Sequence, residues 1–289
     1  MRGLAFAVAA VMAFVTGTPA AAQQQPRVSI DKVSFPSGDG KTTLTGYVFK
    51  SAAAPAKAPA VVMIHGRSGA YSSRADTFEA DTLSARHKAW GRLLARQGYV
   101  AMLIDEYGSV GFPGGFTIKE LKNRPPELED VVARPLHAYG ALRYLRVRPD
   151  IDGQRVGVMG WSNGGSVTLA AMADDKPADM SKLGFKAAAA FYPSCTLRKR
   201  YQEQRYKPYA PVKVFIGTAD KAVSVSTCQQ LVDRSSRRNG KIEMTTYEGA
   251  SHSFDVPTST FQKVPENARA RTESQAAVLA FFGEQLKAK

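Results

Sequence analysis

Short, almost uninterrupted apolar runs alternate along this chain with longer stretches in which apolar residues recur every three or four positions. The runs are AVVMIHG (60–66), YVAMLID (99–105), RVGVMG (155–160), FKAAAAFYP (185–193) and VKVFIGTAD (212–220), and KIEMTTYEG (241–249) reads as a last strand. A strand covered by helices on both faces has no solvent side and loses its polar alternation, so these runs predict parallel strands in the centre of a sheet. Helical spacing fills the gaps. SARHKAWGRLLARQG (84–98) sets Trp90, Leu93 and Leu94 on one side, GGSVTLAAMA (164–173) opens a helix after a glycine pair, and VSVSTCQQLVDRSSRR (223–238) and ARTESQAAVLAFFGEQL (270–286) give two more. ELEDVVARPLHAYGALRYLRV (127–147) carries a long helical period that Pro135 either kinks or divides. Before all of these, VSIDKVSF (28–35) and TTLTGYVF (42–49) flank the turn signal GDGK and predict an antiparallel hairpin. Strand and helix alternate to the end of the chain, the pattern of an α/β fold with a mostly parallel open sheet and helices on both faces.

The first residues read differently. Arg2 precedes an apolar run from Leu4 to Val15, and Ala20 and Ala22 have the spacing of a cleavage site. The expectation is a secretory signal peptide over 1–22, cut before Gln23, with 23–289 as a single domain in the periplasm or outside the cell. The run is shorter than the roughly 20 residues a membrane helix needs, so no stable membrane insertion is expected once the signal is removed. A formal charge of +14 favours anionic neighbours, but the basic residues fall in short groups with no zinc finger, glycine-rich RNA motif or basic helix, and nucleic acid is not an expected partner. The four histidines, at 65, 87, 137 and 252, include no close pair, and two cysteines alone cannot hold a tetrahedral ion; neither a metal nor any other cofactor is expected. Export permits Cys195 and Cys228 to form a disulfide, since one follows a predicted strand and the other opens the helix beyond the next strand, on the same sheet edge.

The chemistry centres on Gly160-Trp161-Ser162-Asn163-Gly164, a G-x-S-x-G sequence between a buried strand and a helix. A serine hydroxyl attacks only when a base takes its proton. Asp220 lies just beyond VKVFIG and His252 just beyond KIEMTTY, both at strand C-terminal ends, where open α/β sheets gather their ligands. The order serine, aspartate, histidine assigns Ser162 as nucleophile, His252 as base and Asp220 as its orienting acid. A developing oxyanion needs donors, and the backbone N–H groups of Asn163 and of Arg67, with Gly66 as the alternative, are the candidates. His65 is expected to shape that loop, with substrate contact as its alternative. His87 and His137 read as structural or solvated, and Asp105 and Glu106 as strand-end caps with the role of acid as an alternative. The basic, tyrosine-bearing segment 197–207 offers a wall for anionic substrates, the alternative being a solvated surface.

Taken together, MIHGRSG, LIDEYGSVG, GVMGWSNGG, AAFYPSC, FIGTAD and SHSFD resemble the dienelactone hydrolase family of the α/β-hydrolase superfamily, from about Val28 to Leu286. The resemblance implies a small lidless hydrolase that cleaves a small-molecule ester or lactone through an acyl-enzyme, with the family's nucleophile, acid and base falling on Ser162, Asp220 and His252. The family's founding enzymes use cysteine as nucleophile and carry an acidic residue where this chain has His65, so a serine esterase branch is implied. A peptide or amide hydrolase of the same fold, and a non-catalytic binding protein, stay open as alternatives at this point.

Overall fold

The computed structural model describes residues 25–176, 178–197 and 206–287. The expected signal peptide and residues 198–205 of the basic segment lie outside the described residues. Eight strands form one sheet: β1 (Val28–Pro36), β2 (Thr43–Ser51), β3 (Ala58–Ile64), β4 (Val100–Asp105), β5 (Ile151–Trp161), β6 (Ala188–Phe191), β7 (Val212–Gly217) and β8 (Ile242–Tyr247). Their spatial order is β1-β2-β4-β3-β5-β6-β7-β8. The hairpin β1–β2 is antiparallel and joins β4 antiparallel, while every pairing from β4 through β3 to β8 is parallel.

β3 and β4 are buried at every position, which accounts for their lack of polar alternation. Helix α1 (Ala85–Arg96) begins at Ser84, whose hydroxyl accepts from the His87 amide. Helix α2 (Arg134–Arg146) has Pro135 in its first turn, where the missing N–H removes no helical bond. The long period from 127 is therefore divided, and the residues before Arg134 form turns. α3 (Asn163–Met172), α4 (Val225–Ser236) and α5 (Pro265–Leu286) complete the longer helices.

Alternation along β5 sorts these helices between the two faces. Trp161 packs against Trp90 of α1, and a side chain at Gly157, two steps of alternation away on the same face, would strike Phe282 and Leu286 of α5. Gly160 looks the other way, into α3, which in turn packs on α2. The parallel strands all end on one edge, and the turns there carry every residue of the candidate site. Among the described residues, no helix is long and apolar enough to cross a membrane.

Candidate active site

Ser162 sits between β5 and α3 with φ 54° and ψ −118°, a backbone conformation that costs a non-glycine residue roughly 1–3 kcal/mol. The surrounding packing enforces it. A Cβ at Gly160 would meet the Gly164 carbonyl oxygen at 2.3 Å, and one at Gly164 would meet the Ile64 oxygen at 2.2 Å, so helix, strand and neighbouring strand approach as only glycine allows. The Ser162 amide donates to Phe191 O at 2.9 Å, and its carbonyl accepts from Ser166 N at 3.0 Å. The sharp turn leaves the hydroxyl projecting from the sheet edge.

His252 meets that hydroxyl, with Nε2 3.1 Å from Ser162 Oγ, while Nδ1 lies 2.7 Å from Asp220 Oδ2. A carboxylate only accepts, so Nδ1 carries the proton and Nε2 is left as acceptor for the serine O–H. The other oxygen of Asp220 accepts from the amides of Ala222 at 2.8 Å and Val223 at 3.1 Å, which fixes the carboxylate. The turns bearing aspartate and histidine are joined directly: Thr218 N donates to Tyr247 O at 2.9 Å and Ala219 N to Ala250 O at 3.0 Å. Tyr192 lies against the imidazole with ring centroids 4.6 Å apart, and its hydroxyl donates to the buried Asp255. Asp255 also accepts from Trp90 Nε1 at 2.8 Å and lies 3.3 Å from Arg86 Nε, so the turn after His252 is anchored to α1.

On the opposite flank, the loop after β3 runs against the serine: a Cβ at Gly66 would lie 3.1 Å from Trp161 O and 3.4 Å from Ser162 Cβ. Arg67 and Ser162 line the same clefts, and Asn163 is the first residue of α3, whose leading amides have no carbonyl partner within the helix. His65 is fully buried, which rules out substrate contact; its role is in the loop. Its Nε2 accepts from Glu106 N at 3.2 Å, so Nδ1–H donates to Gly66 O at 2.7 Å. Burial, reinforced by the Arg134 guanidinium, holds the imidazole down to about 4.

Asp105 accepts from Gly108 N at 2.8 Å and from the Tyr71 hydroxyl at 2.7 Å, as a strand-end cap does. Glu106 is buried beside Arg134 and His137 rather than near His252. Burial alone would push its carboxyl up, but Arg134 and His137 outweigh that and bring it to about 2. His87 and His137 are both buried, so neither is solvated. Tyr206 and Tyr209, expected in the basic wall, face inward instead: the Tyr206 hydroxyl donates to Leu169 O at 3.1 Å, and the Tyr209 hydroxyl accepts from Phe185 N at 3.1 Å. Sequence reasoning missed Asp130 and Arg134. Both are buried, Asp130 against the Asn163 side chain and Arg134 against Glu106, and the signal was an opposite-charge pair four residues apart with only apolar residues between.

Two clefts open from Ser162 and His252, of about 470 and 380 Å³. One is walled by Ile118, Leu121, Val131, Leu197 and Val223, with Lys221 at its side. The other is lined by Ser68, Ser72, Ser73, Ser84 and Thr258, with Phe261. The disulfide expected from sequence is present between Cys195 and Cys228, with an S–S distance of 2.02 Å. Both cysteines of the chain are thereby used, and no thiol is left to act as nucleophile. Among the described residues no group of histidine, cysteine, aspartate and glutamate could hold a metal ion.

Comparison with known proteins agrees with this architecture. The model of the dienelactone hydrolase family matches residues 44–286. A Bradyrhizobium protein named "Probable 2-oxo-3-(5-oxofuran-2-ylidene)propanoate lactonase" is 25% identical over 169 residues, 56% of this chain and 64% of that relative, so the match spans less than two thirds of its length. Among solved structures, a dienelactone hydrolase-like promiscuous phosphotriesterase from metagenomic libraries superposes with a TM-score of 0.66 at 22% identity, covering 90% of this chain and 99% of that one. Esterase 2 of Thermogutta terrifontis, phosphorylated by paraoxon, gives 0.61 at 19% identity, covering 92% and 96%. At these identities the two structures establish the shared α/β-hydrolase fold.

Proposed function

Because the chain belongs to the dienelactone hydrolase family, we propose that it is an exported serine hydrolase that cleaves carboxylic esters or lactones through an acyl-enzyme. Ser162 attacks the carbonyl carbon while His252 Nε2 takes the hydroxyl proton. Asp220 holds the imidazole in the tautomer that leaves Nε2 free and stabilises the imidazolium that forms. The amides of Arg67 and Asn163 stabilise the tetrahedral oxyanion. His252 then returns its proton to the leaving alcohol, and water, deprotonated by the same nitrogen, releases the acid. The observation that carries this reading is the unbroken relay from Ser162 Oγ to His252 at 3.1 Å and on to Asp220 at 2.7 Å, with the serine on a strained turn.

The two clefts that meet at the serine support a substrate with a group on either side of the scissile bond. The lactonase name of the Bradyrhizobium relative is a reason to include lactones in the panel. Export is supported by the apolar leader and by the disulfide, which persists in oxidising compartments.

Replacement Ser162→Ala tests the reading. It removes the nucleophile without adding bulk, so the variant is expected to fold and to lose at least about 10⁴-fold in kcat on short-chain aryl esters. Paraoxon, which phosphorylates the Thermogutta esterase, is expected to add one diethyl phosphate to the wild type by mass spectrometry and none to the variant. Equal hydrolysis by both proteins overturns the assignment.

A further inference from the structure

The amides of Arg67 and Asn163 stand at the ends of two different strands, and an oxyanion hole works only if such donors keep a fixed separation. On the first strand, the Arg67 N–H belongs to the peptide unit whose oxygen is Gly66 O. That oxygen accepts from His65 Nδ1–H at 2.7 Å and from Gly69 N at 3.2 Å. The two ends of a trans peptide lie in one plane and point in opposite directions, so bonds that fix the oxygen also aim the N–H. His65 is held in turn: its ring accepts from Glu106 N, stands edge-on to Tyr107 at 4.5 Å between centroids, and its carbonyl accepts from Arg134 Nη2 at 2.7 Å.

On the second strand, the Asn163 side chain donates from Nδ2 to Asp130 Oδ2 at 2.6 Å. The other oxygen of Asp130 accepts from Arg134 Nη1 and from Arg124 Nη1, each at 2.8 Å. Arg134 is thus common to both sides. One arm of its guanidinium grips the His65 carbonyl and Glu106, and the other grips Asp130. The guanidinium is planar and rigid, and here it has no solvent exposure, so it acts as a spacer of fixed length between the two anchor points.

We propose that the series His65–Arg134–Asp130–Asn163 sets the distance between the two oxyanion-hole amides, with His65, Arg134 and Asp130 as positioning residues that never touch the reacting atoms. The proposal rests on the acyl-transfer reading of Ser162. Asp130 also lines the larger cleft, and the test separates the two roles it could have. A substrate contact acts through KM, whereas loosened donors weaken only the transition state and act through kcat.

Asn163→Ala keeps the backbone donor and removes only its tether; Asp130→Asn keeps size while discarding the charge. Rates are taken per active site, counted from the burst of nitrophenol released by an activated ester, so that misfolded protein does not enter. Each single variant is expected to lose about 10-fold in kcat, less than the loss of a whole donor, with KM within twofold. Each is also expected to bind a boronic acid, which forms a tetrahedral adduct on the serine, about 10-fold more weakly. The double variant is expected to match the worse single one, because both break the same link. Unchanged kcat and boronate affinity in either variant overturns the proposal, as does a KM rise at constant kcat or a double variant whose losses multiply. A wild type that takes up no diethyl phosphate on Ser162 from paraoxon overturns the acyl-enzyme reading and this one with it, whereas a normally phosphorylated wild type with unaffected variants overturns this one alone.

Discussion

The two flanks of Ser162 are built on opposite principles. On the His252 flank the imidazole keeps 24% side-chain exposure, is oriented by one carboxylate, and rests against the Tyr192 ring. On the Arg67 flank the side chains that organise the loop are enclosed. His65, Glu106 and Arg134 have no exposed surface, and Asp130 has 4%. A group that must pass a proton to a substrate has to be reachable, while a dipole that must not reorient is better enclosed. The enclosed flank carries the larger penalty. Buried ions recover their hydration only when every partner is in place, so the network contributes fixed geometry more than stability.

Asp220→Asn breaks the open flank and gives the largest effect. The amide retains the turn bonds from Ala222 and Val223 but can no longer hold the imidazole in the right tautomer. A loss of about 10⁴ in kcat, near 5 kcal/mol, is expected with an unchanged melting temperature. Arg134→Met breaks the enclosed flank. It leaves Glu106 and Asp130 buried with reduced compensation, and urea unfolding is expected to show about 3–5 kcal/mol less stability, part of which a second replacement, Glu106→Gln, restores. A full-stability Arg134→Met protein would mean that the two flanks differ less than their burial implies.

Acid gives the smallest effect and sharpens the same contrast. His65 stays neutral in the fold down to about pH 4, whereas in the unfolded chain it takes up its proton near 6.5. Between those values the unfolded chain binds more protons, so stability rises with pH and is lost on acidification, by about 3 kcal/mol at pH 4 for this one group. Glu106 has the usual carboxylate sign: its depressed pKa stabilises the fold above pH 4.5, and that contribution disappears as pH falls toward about 2. The measurement is the urea midpoint against pH, and His65→Gln is expected to flatten the slope between pH 6.5 and 4.

The same division governs how much could be read from the sequence. The open flank was legible because each of its residues follows a recognisable strand: Ser162 after β5, Asp220 after β7 and His252 after β8. The hairpin was legible too, because GDGK supplies Gly40 with φ 75° where the chain reverses. The enclosed flank was hidden by a helical period that runs without interruption from 127 to 147. Pro135 has no N–H and sits in a first turn, so α2 starts at Arg134, and Asp130 before it meets the Asn163 side chain. Whether that proline kinked the helix or began it decided where Asp130 would lie, and local pattern does not resolve that. Strand ends drifted for a related reason. The nine-residue run around AAAAF yields only Ala188–Phe191 as strand, because Tyr192 turns to φ 36° and ends the extended backbone there.

The Cys195–Cys228 bridge alters the connectivity of the molecule as well as its packing. Across a sequence separation of 33 it closes a covalent ring that holds β7 and Asp220. If a protease cuts one peptide bond anywhere between 196 and 227, no fragment is released, because each new end remains attached through a cysteine. Asp220 is thus joined to the rest of the protein by two independent routes, and a single backbone break within the ring leaves it still linked to His252 by one of them.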